Sequence, residues 1–344
     1  ICFVMWKDAG KPRQGHIFQM MQNSRARFKY CVRYIKQNEN RLRKDSLAKK
    51  FNTCKSKDFW KEIRTINNDK VPLPNTIDGA VGDDEICKVW KKHFESLFNC
   101  IKDDIKQVNC NVTNNDDVTV TTHDINFAIK KLVLNKSCGL DGIYAEHVKY
   151  CSNRIVPLLA MCITGFMTHG FLPSSLMSVV LDPVIKDKTG KINDKDNYRQ
   201  IALASVISKI VEIILLERLH DALSTQCNQF GFKPKLGTDM CIYALKEIID
   251  MYRQLNSSIF MCFLDASKAF DIVKHSSLFH KLIEYGAPIY IVRLLVYWYS
   301  HQNMCVRWRS KVSPTFNVTN GVRQGGILSP YLFNVYMDLS LIHI

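Results

Sequence analysis

The sequence predicts an α/β (α+β) domain preceded by a basic, mainly helical extension. Three observations carry that reading. From His123 onward, apolar runs at helical spacing alternate with short β-rich runs. Before it, residues 1–70 hold 18 Lys and Arg against 6 Asp and Glu, a net of +12 in a chain whose total is +15. The 344 residues are 47% apolar and 23% charged, which excludes wholesale disorder and collagen-like repeats and leaves room for two or three domains.

In chain order, residues 24–50 interleave Phe28, Tyr30, Val32, Tyr34, Ile35, Leu42 and Leu47 with basic residues, the pattern of one or two basic amphipathic helices. A one-signed surplus with aromatics between the charges favours phosphate contact over a merely solvated face, so Arg25, Arg27, Lys29 and Arg33 are candidate nucleic-acid contacts without base preference. Residues 71–82 carry Pro72, Pro74 and two glycines and read as a loop. Residues 83–100 return to helical spacing through Ile86, Val89, Trp90, Phe94, Leu97 and Phe98, with Asp83 or Asp84 as N-cap. Residues 101–122 are rich in Asn, Asp and Thr and are taken as the linker, so the expected domains are 1–122 and 123–344.

Further along, helices are expected at 124–134, 154–169, 205–219, 239–252 and 288–299, and strands at 178–185, 258–264, 304–308 and 315–319. Gly170 and Pro173 end the second of these helices, and Ser329-Pro330 opens a last one. Lys209, Glu212 and Glu217 are assigned to the polar side of the helix at 205–219.

No apolar run approaches the roughly 18 residues that span a bilayer, so no membrane partner is expected. The chain starts at Ile1 without a charged leader, and reads as a cut inside a longer frame, not secreted. Its 13 cysteines are scattered with no C-x-x-C pair, which favours reduced, mostly buried thiols in an intracellular protein of cytoplasm or nucleus.

Chemistry concentrates in two places. The run Ile259-Phe260-Met261-Cys262-Phe263-Leu264 reads as a strand buried on both faces and ends in Asp265. A carboxylate at the carboxyl end of such a strand lies where α/β sheets hold ligands. Two readings stand open from the segment itself: a metal ligand, or an Asp that caps the next helix or pairs with Lys268. The second place is Asn320-Gly321-Val322-Arg323-Gln324-Gly325-Gly326-Ile327-Leu328-Ser329-Pro330, where glycines allow close backbone approach and Arg323 and Gln324 offer charge and donors.

These residues also carry a resemblance. Phe263-Leu264-Asp265-Ala266-Ser267-Lys268-Ala269-Phe270-Asp271 resembles the first catalytic motif of the reverse transcriptases of LINE-type (non-LTR) retrotransposons. The stretch from Gly321 to Asp338 resembles the motif after it in that family. Asn197-Tyr198-Arg199-Gln200-Ile201-Ala202-Leu203 is similar to the family's fingers motif, and Gln229-Phe230-Gly231-Phe232 to the next. Ser137-Cys138-Gly139-Leu140-Asp141-Gly142-Ile143 is similar to the segment before the fingers. Phe59-Trp60-Lys61-Glu62-Ile63 resembles the stretch between the endonuclease and polymerase domains of such elements.

The resemblance implies a right-hand polymerase fold, with fingers and a partial palm in this chain, and RNA-directed DNA synthesis from dNTPs on a DNA primer and an RNA template. Phosphoryl transfer of that kind runs on positioning and on two Mg²⁺ ions. By the same resemblance Asp265 binds both metals and Ala266 adds its carbonyl. Phe270 is the steric gate against a ribose 2′-hydroxyl. Gln324 and Gly325 line the nucleotide and template pocket, Lys186 and Arg199 reach the triphosphate, and Arg323 contacts nucleic acid. Taken without the family, Phe270 is a core aromatic and Lys186 and Arg199 a solvated pair.

Two departures accompany the match. Gln200 stands where the family usually has proline, and the Tyr-x-Asp-Asp hairpin that supplies the remaining metal carboxylates does not occur before Ile344. Two Mg²⁺ about 4 Å apart repel by about 17 kcal/mol at an effective dielectric of about 20, more than one Asp and a triphosphate offset. The expectation is a truncated copy that extends primers poorly or not at all. A non-catalytic nucleic-acid-binding scaffold on the same fold is the alternative.

Overall fold

Why the chain folds as it does is clearest from its helix ends. The computed structural model describes residues 1–52, 58–60, 63, 73–101, 103, 105, 108, 118–226 and 228–338, and the expected stop at Gly170 is where the sequence puts it. Two compact units divide at residue 72, comprising 1–72 and 73–344. Compactness therefore divides the chain at 72, whereas composition divides it at 122. Most of 101–122, together with Lys61 and Glu62, lies outside the described residues.

The first unit holds helices α1 (Cys2–Asp8), α2 (His16–Gln37) and α3 (Glu39–Asn52). Helix α2 packs on α1 and buries Met21, while most of its remaining surface faces solvent. Its charged side chains cannot be buried without partners, so a helix this basic keeps one apolar contact and exposes the rest.

The second unit opens with a small hairpin, β1 (Thr76–Ile77) and β2 (Ala80–Val81), followed by α4 (Asp83–Leu97). Gly82, rather than Asp83 or Asp84, is the N-cap of α4. Asp83, Asp84 and Glu85 fill its first turn, where the helix dipole favours negative charge. Helix α5 (Thr122–Lys131) starts at a capping box in which Thr121 and Asp124 bond each other's backbone amides. Helix α6 (Ile155–His169) ends at Gly170 in the left-handed conformation, φ +69°.

Next come β3 (Ser178–Ile185), β4 (Tyr198–Leu203) and α7 (Val206–Arg218), the last capped by the Ser205 hydroxyl on Ser208 N at 3.0 Å. Helices α8 (Thr238–Gln254), α9 (His275–Glu284) and α10 (Ile289–Ser300) lead to β5 (Asn303–Trp308), β6 (Lys311–Val312), β7 (Phe316–Asn317) and α11 (Ser329–Asp338).

Among the described residues the main sheet runs β4-β3-β5-β6, with β7 also on β5. Strand β3 is antiparallel to β4 and parallel to β5. The expected pairing of 304–308 with 315–319 is present as Asn303 opposite Asn317 and Met304 opposite Phe316. One face of this sheet carries α4. Trp90 is its hub, in contact with Phe94, Tyr198 and Trp308 at ring distances of 5.5, 4.9 and 5.9 Å. A second core joins the helices α5, α6, α7, α9, α10 and α11.

Three expectations need correction. No strand forms over 258–264: the segment carries neither helix nor ladder, and Phe260 and Phe263 are 95% and 79% exposed. A strand buried on both faces needs neighbours on both edges, and the described sheet path includes none for it. Glu212 is not on a polar face but is buried inside the helical core. Against the expectation of mostly buried thiols, only Cys87 and Cys305 of the described cysteines are buried. Among the described residues, no helix is long and apolar enough to cross a membrane.

Candidate functional site

The glycine turn is anchored at several points by backbone and side-chain hydrogen bonds. Its backbone is fastened first to residues 270–275. Val322 N donates to Phe270 O at 2.7 Å and Gly321 N to Val273 O at 2.8 Å. The Asn320 side-chain amide donates to Asp271 O at 2.7 Å, and His275 Nε2 lies 2.8 Å from Gly321 O. Gly321 has φ +90°, and a Cβ there would come within 2.6 Å of Asp271 O, so this approach requires glycine.

A second anchor is strand β4. Ala202 N donates to Gln324 O at 2.7 Å. The side chains of Gln200 and Gln324 both donate to Asp271 Oδ1, at 2.6 and 2.9 Å. One buried carboxylate thus joins the fingers-like motif at 197–203, the segment after Asp265, and the glycine turn. Burial is the chief influence on Asp271 and pushes its pKa up, against the two amide hydrogen bonds and the Lys268 and Lys186 charges. Gln200, which departs from the resemblance, is one of the two ligands of this carboxylate.

The third anchor is Glu212 of α7. Its Oε2 accepts from Ile327 N at 2.5 Å and Leu328 N at 3.2 Å, and its Oε1 pairs with Arg323. The two charged side chains are 1% and 3% exposed. The Arg323 guanidinium lies over the Trp298 ring, 4.6 Å from its centroid. The resemblance implies a nucleic-acid contact for Arg323; in the structure its charge is buried and neutralised by Glu212, so it offers nothing to a phosphate.

The other expected site residues divide. Phe270 stacks on Phe333 of α11 at 4.5 Å and meets Phe232 edge-on at 5.8 Å, so three of the motifs converge on it. Asn334 Nδ2 donates to Gly231 O at 2.8 Å and holds the 229–232 motif in place. Gly325 is exposed at φ +107°, against β4. Lys186 is exposed, with Nζ 3.3 Å from Asp196 O, and Arg199 points from the exposed side of β4. Asp265 and Ala266 are exposed and lie outside any helix or strand. Arg25, Arg27, Lys29 and Arg33 are exposed on α2, in the separate first unit.

A cleft of about 320 Å³ lies at this junction, lined by Lys186, Lys195, Lys268, His93, Gln200 and Asp271 among others. Lys195 is committed to Asp78 at 2.5 Å, a bond that raises its pKa. Burial, and then the Lys268 charge, push the His93 pKa down. His93 and Lys195 gave no sequence signal, since they join the cleft from α4 and from the turn before β4. A larger cavity, about 510 Å³, borders Arg307, but that guanidinium is already bidentate with Asp182 at 2.9 and 2.6 Å. The carboxylate of Asp338 accepts from Tyr285 Oη and Gln226 N and is occupied structurally.

The fit of a divalent metal follows from the same geometry. Asp271 is engaged by two amides and its burial disfavours the charged form. Asp265 is a single exposed carboxylate. Among the described residues no three His, Cys, Asp or Glu side chains converge as a metal-holding group. These residues do not by themselves compose a metal centre.

Comparison with known proteins shows what the chain is similar to. Residues 185–344 match the reverse transcriptase (RNA-dependent DNA polymerase) family. The relatives narrow it further. Over 289 residues the chain is 29% identical to the retrovirus-related Pol polyprotein from the type-2 retrotransposable element R2DM of Drosophila melanogaster, covering 81% of this chain and 23% of that protein. It is 26% identical over 224 residues to the RNA-directed DNA polymerase from mobile element jockey of the same species, covering 63% and 24%. A third, the retrovirus-related Pol polyprotein from the type-1 retrotransposable element R2 of Popillia japonica, is 30% identical over 175 residues, covering 49% and 24%. The chain spans about a quarter of the length of these relatives, which are named as proteins of retrotransposable and mobile elements.

Proposed function

We propose that the chain supplies the fingers and part of the palm, residues 123–344, of an RNA-directed DNA polymerase that copies retrotransposon RNA into DNA. The observation that supports this most is the junction at Asp271. It draws Gln324 of the glycine turn, Gln200 of β4 and the segment leading from Asp265 into one place beside the lysine-lined cleft. That is the arrangement a nucleotide pocket needs: a rigid turn, a ring at Phe270 to meet the sugar, and cations at Lys186 and Lys268 for a polyphosphate. Arg199 is the further triphosphate contact on this reading, and Gly325 gives the template close access to backbone.

The substrates are dNTPs, the partners an RNA template and a DNA primer or target, and the setting is intracellular, in a ribonucleoprotein of cytoplasm or nucleus. A divalent ion, Mg²⁺ in the family's chemistry, would be held by Asp265 and the Ala266 carbonyl only together with carboxylates that the described residues lack. No step is derived through it. The chain's own contribution is to orient the nucleotide and the primer end.

One observation favours a second reading, a nucleic-acid-binding scaffold: Asp265 is exposed and joined to no sheet. The transcript beyond Ile344 separates the two. An in-frame Tyr-x-Asp-Asp hairpin supports the polymerase, and a stop codon supports the scaffold. Primer extension on an RNA template by the 344-residue chain alone should yield little or no product. Robust synthesis lost on Asp265→Asn would overturn that expectation.

A further inference from the structure

Helix α2 carries an arrangement that charge does not explain. Tyr30 and Tyr34 are one helical turn apart, their rings stacked at 6.4 Å and 22°, and they are 69% and 48% exposed. Arg27 precedes Tyr30 by three residues and so falls on the same stripe. Arg33 lies three residues after Tyr30, on the other flank. Met21, the buried residue of the helix, is nine residues before Tyr30, a rotation of roughly 180° at 3.6 residues per turn. The tyrosine stripe therefore faces away from the buried side of the helix.

Two exposed rings are costly to leave in water when a helix needs only charge to grip phosphates. A duplex hides its base faces and presents phosphates, 2′-hydroxyls and base edges, whereas an unpaired strand offers base faces at a spacing that aromatic side chains can meet. Guanidinium groups on both flanks then follow the backbone of such a strand.

We propose that α2 is a stacking platform for single-stranded nucleic acid, with Tyr30 and Tyr34 taking bases and Arg27 and Arg33 taking the adjoining phosphates. This deepens, and rests on, the reading of the basic extension as a nucleic-acid contact.

The test uses the full 344-residue chain and two probes at low salt: a labelled oligouridylate of about 16 nucleotides and an RNA duplex of the same length. The wild type binds the single strand more tightly. Tyr30→Leu/Tyr34→Leu, which keeps helix propensity and apolar area, weakens single-strand binding by about tenfold or more. The same variant leaves duplex binding within about twofold, since phosphate contacts carry it. Tyr30→Phe/Tyr34→Phe retains single-strand affinity, and Arg27→Gln/Arg33→Gln weakens both probes and flattens the salt dependence. Circular dichroism verifies that the helix content is unchanged.

An unchanged affinity of the leucine variant for the single strand, or an equal loss on both probes, would overturn the platform while leaving phosphate binding intact. Failure of the wild-type chain to bind either probe would overturn the platform and the nucleic-acid reading of the extension together.

Discussion

Replacing Glu212 by Gln removes one charge from the pair that pins the glycine turn and leaves its partner in place. The Gln carbonyl can still accept from Ile327 N and Leu328 N, as Glu212 Oε2 does now. What it cannot do is neutralise Arg323, whose Nε and Nη1 already have no hydrogen-bond partner. An unpaired guanidinium at 3% exposure should cost about 3–5 kcal/mol. At roughly 2–4 °C per kcal/mol for a unit of this size, Tm should fall by roughly 6–20 °C.

The double variant Glu212→Gln/Arg323→Met removes both charges and lays an apolar chain over Trp298. It should regain at least about 2 kcal/mol of the loss. Urea unfolding gives the energies, and amide hydrogen exchange at Ile327 and Leu328 reports the turn itself. A cost below about 1 kcal/mol for Glu212→Gln, or a double variant as unstable as the single, would refute the claim that this ion pair holds the turn.

Two further outcomes follow from the same structure. His275 is buried against Gly321 O, and burial depresses its pKa. The unfolded chain takes up a proton near pH 6.5 while the folded one resists, so this contribution is complete above that pH and is lost as pH falls, by at most about 1.4 kcal/mol per unit; a His275→Gln variant measured by urea unfolding between neutral and mildly acidic pH should show a shallower loss. The exposed run 259–264 should be cut early in limited proteolysis and should drive association, because it is apolar and has no ladder partner among the described residues. Phe260→Lys/Phe263→Lys should raise solubility at a stability change within about 0.5 kcal/mol, and a loss beyond that would show the run packs after all.

Helices were legible because their signals are local. The stop at Gly170 was read directly, and the helices expected at 124–134 and 205–219 form within a few residues of those bounds. The motifs were legible as sequence, and the structure gathers 229–232, 270 and 333 around one ring. What failed depended on distant partners. Apolarity over 258–264 reports a wish for burial and says nothing about which strands lie beside it. Arg323 and Glu212 are 111 residues apart, so each looked like a surface charge until the fold paired them. Gln200 looked like a lapse from a family pattern, yet it is a ligand of Asp271, 71 residues away.

Primer extension by the chain continued in its own reading frame past Ile344, on an RNA template with a DNA primer, dNTPs and Mg²⁺, tests the polymerase reading most directly. Synthesis should appear with the continued chain, vanish on Asp265→Asn and fall sharply on Gln324→Ala. Synthesis that persists undiminished in the Asp265→Asn protein would contradict the placement of the reaction beside this turn.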